Sequence, residues 1–428
     1  MIETIVVREY ARLTTEEVTS SLDRARVSES AFDWLCKMNA SFSRAGAALV
    51  MVEGRRWLKL DNYVGVLETP CGTRIEVLPK HTGGTDCVEE SRGLLCRMLQ
   101  RVLNLPSRNV RPASISLYKS PMTEWLMGQF LAQLDHLIKR GVRFDYQRVE
   151  EDQRYLRGQL NAVGQLRQSP GRRHHFQIRH DVFTANRAEN RLIQSALQEV
   201  CKATQDPGNW RLAHELREQF HEVPPSRNVQ GDFKAWRNDR LMAHYQPIRP
   251  WCELILRQQM PIAVAGEWYG ISLLFPMEKL FERFVGSCLR NAALPGVRIQ
   301  SQVRSHHLCT QGNRKMFELR PDFLVSLDEK HCVLDAKWKV LDAADQDHNY
   351  GLRQSDFYQM YAYGQTYLNG SGEMLLIYPR TSKFQDPLQS FKFSGLTLHV
   401  VPFDLEAELL VGFMADWLRV RPKTSIQE

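Results

Sequence analysis

The stretch Met316–Val340, MFELRPDFLVSLDEKHCVLDAKWKV, decides how this chain is interpreted. It predicts two strands joined by a polar turn at 328–330. Successive side chains of a strand point to opposite faces, so Asp335 and Lys337, which are two residues apart, share one face. Asp322 enters through the first strand, directly after a proline. The stretch therefore predicts two carboxylates and one ammonium group clustered at the edge of a β-hairpin.

Hydrolysis of a phosphodiester requires this combination of groups. Asp322 and Asp335 offer the hard oxygen ligands that Mg²⁺ prefers. The metal would polarise the phosphate and lower the pKa of a bound water, which would then attack in line. Lys337 would position that water or stabilise charge in the transition state. An Asp-x-Lys pair alone is common and is usually an exposed pair on an edge strand, but the hairpin with Asp322 favours catalysis.

Two predicted helices flank this hairpin in sequence. The segment Gln354–Leu368, QSDFYQMYAYGQTYL, predicts a helix on which Gln359 and Tyr363 lie four apart and share a face. An earlier helix carries Glu278 and Glu282, also four apart, and either could supply a third carboxylate. A solvated helix face is the alternative for both glutamates. Glu282 is the candidate metal ligand.

Composition sets wide limits on the chain. It has 428 residues, of which 43% are hydrophobic and 25% charged. This balance predicts two or three globular domains and excludes collagen-like or disordered chains. The net charge of +7 permits a polyanionic partner without requiring one. Nine cysteines, with no C-x-x-C pair, argue against a disulfide framework and a cysteine-rich zinc site.

No segment predicts a membrane association. The longest apolar run covers 47–52, far short of the roughly 18 residues needed to cross a bilayer. The first residues, MIETIVVREY, lack the apolar core of a secretion signal. We therefore expect a cytoplasmic protein.

The order of the predicted elements indicates an α/β multidomain chain. Residues 1–83 predict an N-terminal β-rich domain, which we expect to dock a partner. Residues 84–267 predict a mainly helical central region. Residues 268–428 alternate helices and strands and predict a mixed sheet flanked by helices. The active site would then lie at the edge of the C-terminal sheet that bears the carboxylates.

Three local predictions test this outline. A Pro-Cys-Gly turn between apolar runs predicts a hairpin in which Leu67 lies near Ile75. Capping residues and apolar spacing predict a helix over 14–38. A last helix is predicted over 404–419.

The motifs of the chain resemble the PD-(D/E)xK nuclease superfamily, in the branch with a trailing Q-x-x-x-Y helix. More narrowly, the chain is similar to the McrC family, the nuclease subunits of McrBC-type modified-cytosine restriction systems. The specific C-terminal motifs are Arg320-Pro-Asp-Phe, Leu334-Asp-Ala-Lys, Gln359-x-x-x-Tyr363 and Leu376-Ile-Tyr-Pro. Weaker similarities upstream are Ile75-Glu-Val-Leu-Pro-Lys, Tyr155-Leu-Arg-Gly-Gln-Leu, and Asp181-Val-Phe-Thr with Glu189-Asn-Arg-Leu-Ile.

The resemblance implies a Mg²⁺-dependent endonuclease that cuts double-stranded DNA. Matched by position to the family motifs, Asp322 and Asp335 would be metal ligands, with Glu282 as a third. The same motifs assign Lys337 as the catalytic lysine. Gln359 and Tyr363 would support the site or contact the DNA backbone.

The resemblance also implies a molecular partner. In such systems the N-terminal part inserts into a McrB-like AAA+ ring and stimulates its GTPase, and two complexes meet before cleavage. The present chain has no Walker-type G-x-x-x-x-G-K-[ST] segment, so the partner would bind the GTP. Meeting complexes would let nuclease domains dimerise. Two alternatives stay open: a stand-alone RecB-type nuclease, and a non-catalytic adaptor of an AAA+ ring.

Overall fold

The computed structural model describes residues 4–43, 49–54, 56–80, 87–105, 121–172, 174–257 and 273–412. These residues form two compact units. The first unit combines the described residues of 1–105 with residues 121–122 and 273–412, and the second comprises the described residues from 123 to 257. The mixed α/β class predicted from the sequence is confirmed.

Helices and strands occur along the whole described chain. The helices are α1 Glu29–Ser43, α2 Val88–Val102, α3 Met122–Arg140, α4 Ala162–Leu166, α5 Ala188–Ala203, α6 Pro207–Gln219, α7 Val229–Ala235, α8 Arg249–Arg257, α9 Met277–Ala292 and α10 Gln354–Tyr367. The strands up to the end of the second unit are β1 Thr4–Arg8, β2 Arg12–Thr14, β3 Arg24–Arg26, β4 Val50–Glu53, β5 Trp57–Leu60, β6 Tyr63–Glu68, β7 Arg74–Leu78, β8 Asp145–Gln153, β9 Gln159–Leu160 and β10 Phe176–Thr184. The later strands are β11 Leu273–Pro276, β12 Arg298–Ser301, β13 His306–Gln311, β14 Arg314–Leu319, β15 Phe323–Leu327, β16 Lys330–Ala336, β17 Gly372–Pro379, β18 Phe391–Lys392, β19 Leu396–Asp404 and β20 Leu409–Leu410.

The N-terminal residues fold into two four-stranded sheets, with strand orders β1-β7-β6-β11 and β3-β2-β5-β4. Their apolar side chains share one buried core, which includes Val7, Leu13 and Leu58. The predicted hairpin is confirmed, because β6 and β7 are antiparallel and Leu67 is the partner of Ile75. Strand β11 joins this sheet beside β6 and leads directly into α9. The N-terminal sheets therefore belong to the same unit as the C-terminal residues.

The C-terminal residues form a mixed sheet of order β12-β15-β16-β17-β19-β18, with β20 beside β19. Strand β15 is antiparallel to both of its neighbours, β12 and β16, whereas β16, β17 and β19 run parallel. Val333 on β16 packs in a core with Met360 and Tyr363 of α10. Phe323, whose register partner is Leu334, contacts α9 instead. Because Val333 and Leu334 are adjacent in a strand, the two helices cover opposite faces of the sheet.

Two glycines let these helices approach the sheet closely. A Cβ on Gly286 of α9 would lie 2.5 Å from Phe323 Cε1. A Cβ on Gly364 of α10 would lie 2.6 Å from both Leu396 Cδ1 and Met374 Sδ. Real Cβ atoms do not make contacts this short, so larger residues would push either helix outward. The positions of Glu282 and Gln359 on these helices depend on that close packing.

The second unit contains a β-sheet, which the prediction of a mainly helical region over 84–267 did not include. Antiparallel strands β8, β10 and β9 form a sheet among the helices of this unit. No strand was predicted over Phe176–Thr184, yet its residues pair one by one with Asp145–Gln153. The three predicted blocks do not coincide with the two compact units, and as separately folding domains they stay a prediction.

Three local predictions differ from the structure. The predicted helix over 14–38 is wrong in its first half, since β3 occupies Arg24–Arg26 and α1 begins at Glu29. The last helix is wrong over 404–412, where β19 ends and β20 pairs back with it, and residues 413–419 lie outside the described residues. The stretch 316–340 contains parts of three strands rather than two, because the chain breaks at Pro321, which has no backbone N–H to donate.

Within the described ranges, no helix combines the length and the apolar character needed to cross a membrane.

Candidate active site

The end of β16 brings Asp335 and Lys337 together as predicted. Lys337 follows the last strand residue, but its backbone N–H still donates to Ile377 O on β17 at 2.8 Å. This bond keeps the alternation of the strand, and Lys337 Nζ lies 2.8 Å from Asp335 Oδ2. The Asp335 side chain is only 2% exposed and that of Lys337 28%. The pair therefore combines a buried carboxylate with an ammonium group that reaches solvent.

Asp322 lies beside this pair, at the start of β15. Its Oδ2 accepts a hydrogen bond of 2.8 Å from the backbone N–H of Ala336. Its Oδ1 accepts a bond of 3.1 Å from Gln302 Nε2, which also donates to Glu282 Oε1 on α9. Gln302 thus connects two of the predicted metal ligands. Glu278, the competing glutamate, is exposed and has no such link to Asp322 in the described contacts.

Burial and nearby negative charges raise the pKa of all three carboxylates. Burial, followed by the negative charges of Asp335 and Glu282, raises the pKa of Asp322 to about 8. Burial also raises the pKa of Asp335, although Lys337 acts in the opposite direction. Burial raises the pKa of Glu282, and the charge of Asp335 adds to the effect. The site therefore concentrates negative charge that its own residues do not fully neutralise.

Lys337 is held by a chain of hydrogen bonds from α10. Its Nζ donates to Gln359 Oε1 at 3.1 Å, and Gln359 Nε2 donates to the Tyr363 hydroxyl at 2.7 Å. Tyr363 in turn donates to the carbonyl oxygen of Arg320 at 2.9 Å. Burial lowers the pKa of Lys337, but the Asp335 carboxylate outweighs it and the net pKa is raised. The lysine is consequently fixed in position and positively charged at neutral pH.

Glu282, Asp322 and Lys337 border a cleft of about 670 Å³. Its lining combines carboxylates of the predicted site with residues that adjoin the N-terminal sheets. Among the lining residues are Glu9, Lys80, Glu282, Asp322, Lys337, Trp338 and Asp356. Trp338 Nε1 donates to Glu9 Oε1 at 2.7 Å, and Lys80 N donates to the same oxygen at 2.8 Å. Glu9 is 1% exposed, and burial raises its pKa. The cleft is thus built from both ends of the sequence.

The donor set suits a divalent cation. Glu282, Asp322 and Asp335 supply carboxylate oxygens, which are the ligands of Mg²⁺, and a cation there would relieve the repulsion that raises the pKa of Asp322. Among the residues that the structure describes, no three His, Cys, Asp or Glu side chains already converge as a metal site. Asp335 is engaged by Lys337 and Asp322 by Ala336. The residue chemistry fits the ion, and the metal roles of these residues stay a prediction.

Sequence patterns missed four residues in or beside the cleft. Gln302 lies before β13 in a segment without a recognisable motif. Glu9 and Trp338 are 329 positions apart, so only the folded chain reveals their contact. Asp356 is buried on α10, where its charge acts on Asp335 and Lys337 and its Oδ2 lies 3.4 Å from the Tyr378 hydroxyl. Only Asp356 could have been predicted from the sequence, because it precedes Gln359 by three residues and therefore shares its helix face.

Comparisons with known proteins identify one matching family and similar solved structures. The model of the McrBC 5-methylcytosine restriction system component family matches residues 58–379. No curated protein matches the chain. One similar solved structure is a refined half-complex from a tetradecameric assembly of Thermococcus gammatolerans McrB AAA+ hexamers with bound McrC. It is 18% identical, with a TM-score of 0.70 and 97% coverage of both chains. A cryo-EM structure of the Thermococcus gammatolerans McrBC complex is 20% identical, covers 68% of this chain and 88% of that chain, and has a TM-score of 0.49.

The family match spans most of the chain and includes the hairpin of Asp322 and Asp335. The first of these structures has the same overall fold over nearly the whole length. The similarity to the McrC family inferred from the sequence motifs is thereby confirmed. This chain belongs to the McrBC 5-methylcytosine restriction system component family.

Proposed function

We propose that this chain is the DNA endonuclease subunit of a GTP-dependent restriction complex that acts on modified cytosine. The observation that carries the proposal is the buried Asp335–Lys337 pair, with Asp322 held beside it at the end of the central strand. Membership of a restriction-system family supports the same conclusion. The proposed reaction is hydrolysis of a phosphodiester of double-stranded DNA by in-line attack of water.

Each residue of the site has a proposed task. Asp322, Asp335 and Glu282 would hold Mg²⁺, which supplies Lewis-acid polarisation of the phosphate and acidifies water. Lys337 would stabilise the charge that develops on the phosphate oxygens, because Asp335 keeps it protonated and Gln359 fixes its position. Tyr363 orients Gln359 through their hydrogen bond. The burial of Asp335 excludes water and so strengthens its electrostatic interaction with Lys337.

The proposed partner is a McrB-like AAA+ ring that binds and hydrolyses GTP. The similar solved structure, by its description, holds McrC bound to McrB AAA+ hexamers. We propose that this chain docks on such a ring through residues 1–83 and stimulates its GTPase. Pairing of nuclease sites from two complexes would then cut both strands.

A cleavage assay tests the proposal. Methylated and unmethylated plasmids would be incubated with the purified chain and Mg²⁺, with and without the McrB-like protein and GTP. The proposal predicts cleavage of methylated plasmid only when partner, GTP and Mg²⁺ are all present. Cleavage by the lone chain would contradict the need for a ring, and stimulation of GTP hydrolysis without cleavage would contradict the nuclease assignment.

A further inference from the structure

Strands β13 and β14 form a two-stranded ribbon beside the candidate site. In the described part of the chain they pair only with each other. Nearly all of their residues are exposed, with only Leu319 buried at the base. At about 3.4 Å per residue, strands of six residues give a ribbon roughly 20 Å long. Apart from Leu319 at its base, the ribbon adds no side chain to the buried core of the sheet.

Two large apolar side chains are exposed on the ribbon. Leu308 is 56% exposed and Phe317 is 67% exposed. The pairing ladder includes the neighbours on either side but passes over Leu308 and Phe317, which would lie opposite each other. Phe317 has a φ of 57°, in the left-handed region that bulky residues rarely adopt. Backbone strain of this kind persists mainly at functional positions.

The tip of the ribbon is basic. Arg314 and Lys315 are exposed at the start of β14, after the turn at Gly312. The ribbon's one acidic residue, Glu318, lies 3.9 Å from Arg304, so these two charges largely offset each other. The remaining charge is positive, which complements a polyanion.

The base of the ribbon is fixed to the helix that carries Gln359 and Tyr363. The Tyr367 hydroxyl of α10 lies 3.1 Å from Val303 O and 2.8 Å from Leu319 O. The His306 ring also packs edge-on against Tyr367, with ring centroids 4.6 Å apart. Three residues after β14 the chain reaches Asp322. The ribbon therefore has a fixed position next to the proposed catalytic carboxylates.

We propose that this ribbon enters a groove of the duplex DNA that the site cleaves, an inference that rests on the proposed nuclease function. The major groove of B-DNA is about 12 Å wide and admits a two-stranded ribbon. Arg314 and Lys315 contact phosphates, while Leu308 and Phe317 contact thymine methyl groups or a base step. The basic tip and the distance of three residues to Asp322 favour DNA over a protein partner on this surface.

Binding of a short labelled duplex to the full chain, measured by fluorescence anisotropy in EDTA over a range of salt concentrations, tests the ribbon apart from catalysis. The double variant R314Q/K315Q should lower the slope of log affinity against log salt by about 1.8, since each phosphate contact contributes about 0.9. The double variant L308S/F317S should weaken binding about tenfold without changing that slope. Matched controls are Leu241→Ser, an exposed apolar residue of the second unit, and K202Q/R211Q, which removes two exposed cations there. Both controls should bind as the unchanged chain does.

Each outcome separates the ribbon from the nuclease. If the ribbon variants are folded and bind DNA like the controls, or if the unchanged chain binds no duplex, the ribbon proposal is overturned. It is also overturned if the ribbon variants lose self-association or the McrB-like partner while keeping DNA affinity. If the chain binds through the ribbon but cuts under no condition, the ribbon stands and the proposed nuclease function fails.

Discussion

Trp338 Nε1 donates a hydrogen bond of 2.7 Å to Glu9 Oε1 and so links the residue after Lys337 to the turn after β1. The same oxygen accepts from Lys80 N, just after β7. The other oxygen of Glu9 is buried and has no hydrogen-bond partner among the described residues. A buried carboxylate oxygen without a hydrogen bond lowers the free energy of unfolding, so we attribute the presence of Glu9 to a role in the cleft. Glu9 is a positioning residue in this account, since it acts on Lys337 only through Trp338.

Removal of the Glu9 acceptor should impair cleavage more than it impairs folding. Glu9→Ala leaves Trp338 Nε1 without its acceptor and lets the segment carrying Lys337 move, so we expect roughly a tenfold to hundredfold loss of cleavage rate. Glu9→Gln keeps a carbonyl oxygen for both donors and should cut within about threefold of the unchanged chain. Plasmid cleavage in the complete complex, with unfolding temperatures of all three proteins, makes the comparison. Equal loss in the two variants would show that the charge of Glu9, and not its acceptor, matters.

A methyl group on Gly286 should displace the helix that carries Glu282. Its Cβ would lie 2.5 Å from Phe323 Cε1, so Gly286→Ala should destabilise the chain by about 1–3 kcal/mol and lower cleavage. A second change, Phe323→Leu, makes room and should recover part of both losses. Gly54→Ala places its Cβ more than 4 Å from every heavy atom of the described residues beyond its chain neighbours, and it controls for a substitution at glycine, although its φ of 69° carries a strain of its own. A G286A/F323L chain no better than Gly286→Ala would refute close packing as the cause.

The raised pKa of Asp322 predicts an unusual pH dependence of the free energy of unfolding. Its folded-state pKa of about 8 lies above the value of about 3.9 for an unfolded Asp, so the folded chain holds the proton more tightly. Its stabilising contribution is complete below about pH 4 and is lost as pH rises through about 8. In EDTA, Asp322→Asn should therefore unfold at a higher temperature than the unchanged chain at pH 9, and the difference should shrink towards pH 5.

Mg²⁺ should reverse this order, because in the proposed site the ion would replace the proton on Asp322. The unchanged chain should gain stability on adding Mg²⁺, more at pH 8 than at pH 6, and Asp322→Asn should gain much less. Thermal unfolding at each pH, with and without the ion, gives both comparisons. Asp328→Asn, at an exposed position of the following turn, is the matched control. Equal gains in the Asp322 and Asp328 variants would exclude Asp322 as a ligand.

Much of the candidate site could be predicted because its residues are close in sequence. Asp335 and Lys337 are related by strand alternation, and Gln359 and Tyr363 by the helical repeat, so local periodicity fixes each pair. The β6–β7 hairpin could be predicted for the same reason, down to the pairing of Leu67 with Ile75. That the strand of Asp335 and the helix of Gln359 meet in one site was inferred from the order of the motifs and from the family resemblance. Periodicity does not specify contacts between distant segments.

The remainder depends on contacts that local sequence does not specify. The 14–38 segment has apolar spacing compatible with a helix, but Leu13 and Ala25 pair across β2 and β3 and bury in the N-terminal core. Tertiary pairing overrode the helical pattern there. The β8–β10 sheet was missed because β8 is rich in charged residues and few side chains of these strands are fully buried. Gln302 and Glu9 reach the cleft only through long-range folding.

The most direct test of the central claim is the Asp335→Asn substitution, measured in one preparation for two activities. Asparagine keeps the size of the side chain but removes the charge that pairs with Lys337 and would hold the metal. With the McrB-like partner, GTP, Mg²⁺ and methylated plasmid, we predict a loss of cleavage of at least about 100-fold, and stimulation of GTP hydrolysis within about twofold of the unchanged chain. Full cleavage by the variant would contradict the assignment of this site as the nuclease centre.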